Sequence, residues 1–415
     1  MHGRRLVLGD EHLPIALGVD DLCRHTMIFG SSGSGKTTRG FNPIFAAMLE
    51  RLDAGAFVIA PKPEAAREAL AIAERVGRRA VLVEPGGDAG FDLFCGEPDV
   101  DAAAFRDALG RVAPDQQSNV EAALARVKHS LTIVGAAGSQ YYTFEHLTGY
   151  CFDDEFAATM RIHAGERLRY LPHESEAAWA IREAFAYEDV RYFRFSNEIR
   201  AAIRFSLSQF LEPLRDARLA KTFARKRNLV DLETVFDGAV IVLHVPRDRY
   251  DRAAEAIYAL AKRRFFTALA KRRSDPALDQ HRPVVFGVDE YQLCASESDV
   301  RSLGVIRSAG CMVLATTHGV SSLYSVLPRA QADAALQNFT QKLFFKTDDY
   351  ETLALLERAT HYSPNRLEPS ALFSMHRNQA LAHVTAGDVS HDAVLTMHPL
   401  FAGEDYLHDR LESVA

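Results

Sequence analysis

The stretch MIFGSSGSGKTT (27–38) carries the residue types that hold a polyphosphate. From Gly30 to Thr37 it fits the pattern G-x-x-x-x-G-K-[ST], directly after a strand-like run and directly before a helical pattern. Gly33 and Gly35 let backbone N–H groups converge on phosphate oxygens with no side chain in the way. The helix that follows points its partially positive N-terminus at the same oxygens. Gly30, Ser31, Ser32, Gly33, Ser34, Gly35, Lys36, Thr37 and Thr38 are therefore read as a nucleotide-binding loop. Lys36 would reach the β- and γ-phosphates, and Thr37 would place its hydroxyl on Mg²⁺. The alternative is a Gly/Ser-rich turn, and the strand–loop–helix context argues against it.

A hydrolase of this type also needs a carboxylate for Mg²⁺ and one to activate water. VVFGVDE (284–290) supplies both at the end of an apolar run, and strand ends are where open α/β sheets place ligands. Asp289 is assigned to the Mg²⁺ shell and Glu290 to polarising the attacking water. The competing reading is a strand followed by an acidic surface turn. A small-molecule kinase is a further possibility, but such enzymes are usually shorter and lack this pair. A GTPase is disfavoured, because no [NT]KxD segment stands at a strand end.

The elements that must position these groups are legible as short apolar runs: 25–29, 56–60, 80–84, 239–245, 284–288, 311–317, 342–347 and 380–385. Such runs read as strands buried on both faces. Helical patterns at 41–52 and 64–76 lie between them, so the expected fold class is α/β with a mainly parallel sheet and crossover helices. Residues 100–205 break the alternation. They hold amphipathic helix candidates at 101–112, 119–134, 175–187 and 196–211 and no convincing buried strand. The expected organisation is a nucleoside-triphosphatase (NTPase) domain in two parts, 1–99 and 206–398, with an inserted all-helical domain at 100–205. A short acidic tail follows at 399–415.

Composition narrows the class. The chain has 415 residues, 47% hydrophobic and 25% charged, ordinary values for a globular protein of two or three domains. The net charge is −7, so any nucleic-acid surface must be a local patch. Five scattered cysteines, Cys23, Cys95, Cys151, Cys294 and Cys311, form no CxxC pair, which disfavours a zinc site or disulfide framework and suits a reducing compartment. Cys311 sits in an apolar run and reads as core. The N-terminus lacks the apolar stretch of a signal peptide, and no run approaches the ~20 residues that span a bilayer. The expected location is cytoplasmic.

Together these landmarks resemble the type IV secretion coupling proteins (TraD/TraG type) of the FtsK/HerA superfamily of RecA-like motors. FVIAPKPEAAREAL (57–70) resembles the family's D-P-K-G-E segment, and AVLVEPGGDAGFDLF (80–94) its valine-rich strand followed by Pro and Phe-Asn-Pro. FLEPLRDARLAKTF (210–223) and LVDLETVFDGAVIVLHVP (229–246) resemble the return to the motor domain. DEYQLCASESDVRSLGVIRSAGCMVLATTHGVSSL (289–323) resembles the Walker B strand, an Arg-bearing helix and the next strand, and LQNFTQKLFFKTDDYET (336–352) the segment after that.

The resemblance implies a RecA-like P-loop core, ATP and Mg²⁺ as cofactors, a ring that is a homo-hexamer, and DNA as the translocated partner. A relaxase, a secretion channel or another mobile-element or defence protein would be a further partner. Arg307 falls where the family places an arginine finger for the neighbouring subunit's γ-phosphate. Arg301 competes for that role, and an arginine before Gly310 is also explained by capping. His318 falls where the family has a γ-phosphate-sensing glutamine, and an ordinary strand-end histidine is the alternative. Lys62 matches the lysine of the D-P-K-G-E segment, while Ala60 and Pro63 replace its aspartate and glycine. The sequence begins almost at the first motor strand, whereas coupling proteins carry N-terminal transmembrane helices, so a variant without a membrane anchor is expected.

Basic residues cluster at KTFARKR (221–227) and AKRRFFTALAKRR (261–273), as phosphate contacts need, although solvated helix faces account for such runs more readily. Phe265 and Phe266 read as core. The leading expectation is an ATP-driven DNA translocase. The alternative is an ATP-gated adaptor that recruits a protein through the helical domain.

Overall fold

The computed structural model describes residues 5–8, 14–112, 117–275, 278, 281–361, 363 and 368–400. From residue 401 onward the expected acidic tail lies outside the described residues. The chain divides into two compact units, one of 1–82, 232–244 and 268–415 and the other of 83–231 and 245–267.

In the first unit, β1 (Leu6–Leu8) and β2 (Ile15–Leu17) form an antiparallel pair. The main sheet is built from β3 (Thr26–Phe29), β4 (Gly55–Ile59), β5 (Ala80–Val83), β6 (Val240–Leu243), β7 (Val284–Val288), β8 (Cys311–Thr317), β9 (Gln341–Phe344), β10 (Gln379–Ala386) and β11 (Val389–Thr396). Their order is β11-β10-β9-β3-β8-β7-β4-β6-β5. The pairs β6–β4, β4–β7, β7–β8, β8–β3 and β3–β9 are parallel. Every residue of these six strands is buried, which is why they read as unbroken apolar runs rather than alternating ones.

The sheet turns antiparallel at β9–β10–β11. Only two residues, Gly387 and Asp388, join β10 to β11, and Gly387 sits at φ 61. β10 is buried to half-buried throughout, whereas β11, at the sheet edge, mixes exposed, half-buried and buried residues.

One face of the sheet is covered by the helices Asn42–Arg51 and Pro63–Arg75. They insert Ile44, Phe45, Met48, Leu49, Ala66, Ala69, Ile72 and Ala73 against Val58, Val242 and Leu314. Those helical residues recur at spacings of three and four, the stripe that an amphipathic helix buries. Ahead of the first helix, Lys36–Phe41 forms a wide π turn in which Asn42 N–H bonds back to the Thr37 carbonyl. Pro43 explains it: proline has no N–H to donate and its ring crowds the carbonyl four residues earlier.

The second unit is helical from Pro98 to Leu211. Its helices are Pro98–Val112, Gln117–Ala137, Phe144–Phe152, Asp154–Tyr170, Glu176–Ala186 and Asn197–Leu211. Gln117–Ala137 packs against each of the other five. Thr143, Asp153, Ser175 and Ser196 each cap a helix N-terminus with a side-chain oxygen. Phe94, Phe105, Phe144 and Phe210 form an aromatic core, with Phe94 and Phe144 stacked at 4.1 Å. The two helices between 144 and 170 lack a clear apolar stripe in the sequence, and they were found only in three dimensions.

Candidate nucleotide-binding and hydrolysis site

Parallel strands bring their C-terminal ends to one edge. β8 lies between β3 and β7, so three segments emerge side by side there: the loop after Phe29, the Asp289–Glu290 pair after Val288, and His318 after Thr317. Gly30 N–H donates to the Thr317 carbonyl at 3.2 Å, and Asp289 N–H to the Ile59 carbonyl at 3.2 Å. These bonds extend the ladder past the strands and fix the height of each loop.

The loop itself has the shape that its glycines allow. Gly33 and Gly35 lie at φ 75 and 91, where a side chain is disfavoured. A Cβ at Gly35 would also stand 2.7 Å from the Arg377 carbonyl oxygen. Arg377 Nε donates to the Gly33 carbonyl at 3.1 Å, so the segment before β10 braces the loop. No sequence motif signals Arg377. Ser31 donates to Asp348 at 3.2 Å, Ser34 is buried, Ser32 is exposed, and Thr37 and Thr38 are half-buried. The loop leads straight into the helical turn at Lys36, whose first N–H groups have no partner within the helix.

Lys36 is buried, with Nζ 3.5 Å from the Ser31 carbonyl and 3.4 Å from His318 Nδ1. Burial pulls its pKa below the ordinary lysine value, with Asp289 opposing. Thr37 Oγ1 donates to Asp289 Oδ1 at 3.3 Å, and Thr316 Oγ1 donates to the same oxygen at 2.7 Å. A hydroxyl and a carboxylate thus stand together beside the loop, hard oxygen donors of the kind Mg²⁺ takes alongside phosphate and water. The residues present fit that ion and a polyphosphate.

Glu290 is the most constrained group. Its backbone is left-handed (φ 65, ψ 64), and its N–H donates to Thr316 Oγ1 at 3.0 Å. Its Oε1 is 2.5 Å from Lys62 Nζ and 3.3 Å from His318 Nε2. Burial opposes ionisation, yet the hydrogen bonds from His318 and Lys62 and the charge of Lys62 outweigh it and hold Glu290 at about 2. Lys36 has donors only, so His318 Nδ1 accepts and the ring proton belongs on Nε2, facing Glu290. A histidine in this tautomer offers one acceptor and one donor, the pair a glutamine amide would offer.

The structure thus brings Lys36, Thr37, Asp289, Glu290 and His318 together. It also adds Lys62 and Thr316, which sequence reasoning did not place there. It does not bring in Arg307 or Arg301. Arg307 ends the exposed C-terminus of the helix Asp299–Arg307, just before β8 begins at Cys311. Seven strand residues, about 23 Å, separate that edge from His318. Arg301 is exposed near the start of the same helix.

The basic clusters are partly interior. Lys262 and Arg272 are each 1% exposed, and Arg272 packs on Phe236 and donates to the Arg282 carbonyl at 2.7 Å. Arg225 forms a two-pronged pair with Glu145. Phe265, Phe266 and Cys311 are core residues, as the sequence implied. Among the described residues no helix is long and apolar enough to cross a membrane.

No protein-family model matches the sequence, and no curated protein matches it significantly. Solved structures do match in fold. The bacterial conjugative coupling protein TrwBdeltaN70, in an unbound form, superposes with a TM-score of 0.67 at 14% identity, over 96% of this chain and 89% of its own. The plasmid coupling protein TrwB in complex with ADP and Mg²⁺ gives 0.63 at 16% identity, over 96% and 89%. VirB4 of Thermoanaerobacter pseudethanolicus gives 0.60 at 15% identity, over 96% and 97%. The resemblance read from the sequence therefore holds at the level of architecture: the chain has the α/β, RecA-like fold that TrwB and VirB4 share.

Proposed function

We propose that this chain is an ATP-hydrolysing, ring-forming motor of the coupling-protein kind, with DNA as its cargo. The observation that carries the proposal is the meeting of Lys36, Thr37, Asp289, Glu290 and His318 at adjacent strand ends around a glycine-bent loop. Solved structures of TrwB hold an ATP analogue and ADP with Mg²⁺, which supports ATP and Mg²⁺ here.

In this reading the loop N–H groups and the helix N-terminus hold the phosphates, and Lys36 reaches the β- and γ-oxygens. Thr37 and Asp289 would hold Mg²⁺, which would neutralise charge on those oxygens. Glu290 takes a proton from water as the water oxygen bonds to the γ-phosphorus. The bond to the β-phosphate oxygen breaks, leaving ADP and phosphate. His318 joins Lys36 to Glu290 and so reports whether a γ-phosphate is in place. Arg307 serves the site of a neighbouring subunit, in keeping with its position at the far edge from its own loop. The ring is a hexamer, and the insertion at 100–205 selects the DNA-bound partner, a relaxase or another mobile-element or defence protein.

A second reading draws on exposed apolar side chains in the helical unit, including Ile162, Tyr170, Trp179, Phe193 and Phe205. Such surface favours a protein partner, and nucleotide would then gate an adaptor. ATPase activity measured with and without single- and double-stranded DNA separates the two. Stimulation by DNA supports the motor. Hydrolysis indifferent to DNA supports the adaptor, and phosphate transfer to a metabolite overturns both.

A further inference from the structure

The cation bonded to the proposed base comes from a segment that no phosphate-loop motif covers. β4 and β7 are parallel neighbours in the register Ile59↔Val288, so Lys62 and Glu290 leave adjacent strands at the same level. Lys62 stands between Pro61 and Pro63, and a residue before proline is confined to extended backbone. It adopts φ −98, ψ 139, and its carbonyl accepts the first helical bond, from Ala66 N–H at 3.1 Å. On the strand side, Ala60 N–H donates to Leu243, and the Ala60 carbonyl accepts from His244 Nδ1 at 2.9 Å. The main chain carrying the lysine is thus held from both directions. Its side chain remains half-exposed, while that of Glu290 is 10% exposed.

We propose that Lys62 is a positioning residue for hydrolysis: bonded to Glu290 Oε1 together with His318, it fixes the carboxylate so that Oε2 faces the attacking water. The assignment rests on the reading of Glu290 as the base. Without Lys62 the left-handed backbone at Glu290 still points the side chain into the site, but one of the two bonds that stop its carboxylate from turning is gone. Small displacements of a reacting group cost up to about a hundredfold in rate.

The test uses the full chain, with Lys62→Met, Lys62→Arg, Glu290→Gln and the double variant Lys62→Met/Glu290→Gln. Binding of a fluorescent ATP analogue, kcat and KM for ATP, and thermal unfolding are measured for each. The expected result is that Lys62→Met falls about ten- to a hundredfold in kcat with analogue affinity and KM nearly unchanged. Lys62→Arg recovers most of the rate. The Tm shifts of Lys62→Met and Glu290→Gln are not additive in the double variant, because each removes the same ion pair. A raised KM with unchanged kcat makes Lys62 a phosphate contact and overturns the proposal, as does an unchanged kcat. If the parent chain hydrolyses no ATP, the reading of Glu290 as a base fails. The unfolding cycle then still decides whether Lys62 positions that carboxylate, and additive Tm shifts overturn it.

Discussion

Glu188 and Glu290 are both buried and each is bonded by two nitrogen-bearing side chains, and they are built differently. In the helical unit Glu188 is 1% exposed. It receives Arg126, Arg161 at 2.5 Å and the Tyr150 hydroxyl at 2.7 Å. All of its partners are on helices or helical turns, and Arg126 is itself stacked over Tyr192. At the sheet edge Glu290 receives Lys62 and His318, both from loops, on a backbone in the left-handed region. A non-glycine residue there is strained by about 1–3 kcal/mol. One glutamate is saturated by regular elements and serves the fold. The other is held in a strained loop with a half-exposed partner, the setting in which a carboxylate can exchange its contacts during a reaction.

The arginines divide in the same way, and they give the largest test. Arg307 is exposed, whereas Arg126 is buried. Arg307→Ala is expected to leave folding and ATP binding intact while lowering turnover by about 10³-fold or more, the scale of a finger supplied in trans. Mixing it with Glu290→Gln protein restores some activity, because one mixed interface holds both an intact Glu290 and an intact Arg307. Steady-state ATPase assays at several protein concentrations check this. Full activity in demonstrably monomeric protein removes the trans contribution.

Glu290→Gln comes next. Turnover should fall by about 10²- to 10⁴-fold with ATP still bound, since an amide cannot take the proton from water. Equal turnover by this variant and the parent would dissolve the contrast with Glu188. The complementary change, Glu188→Gln, should leave turnover per folded molecule unchanged. It leaves Arg126 buried with its charge uncompensated, which costs about 3–5 kcal/mol. Thermal unfolding followed by circular dichroism reads that loss.

The smallest effect puts the comparison on a pH axis. His25 is buried, donating from Nε2 to the Leu303 carbonyl and accepting at Nδ1 from Val313 N–H. Burial holds it at about 4, below the ordinary value of 6.5. The unfolded chain therefore binds this proton first. The stability His25 contributes is full above about pH 6.5 and is lost as pH falls toward 4, about 3 kcal/mol at most. Denaturant midpoints from pH 7.5 to 4.5 should fall more steeply for the parent than for His25→Gln. Parallel slopes would show that His25 is not the group whose protonation sets this pH dependence.

Much of this was legible in the residues, because it is local. An apolar run buried on both faces looks the same in any parallel sheet, so six of the eight expected strands stand out for that reason. β5 and β10 also fall where expected, though β5 is mostly half-buried and β10 pairs antiparallel, and the loop from Gly30 to Thr38 carries its own turn chemistry. Asp289 and Glu290 announce themselves by following such a run. The helices at 144–152 and 154–170 were harder to see, because nine residues are too few to show a period and the seventeen of the second bury only Met160 and Ala164. Arg377, which braces the phosphate loop, had no signal at all, since a backbone-directed arginine contact depends on where two distant loops come to rest.

The sequence by itself determined the chemistry available: a phosphate-holding loop, a pair of acids at a strand end, and the strands and helices that carry them. These follow from backbone conformational preference and from apolar spacing, both properties of a few neighbouring residues. Only the tertiary structure decided which groups meet. The β4–β7 register sets Lys62 on Glu290, and the insertion of β8 between β3 and β7 sets His318 between Glu290 and Lys36. The direction of β8 sends Arg307 to the opposite edge. Strand order and register are set by the packing of the whole core, and no short stretch of sequence contains them.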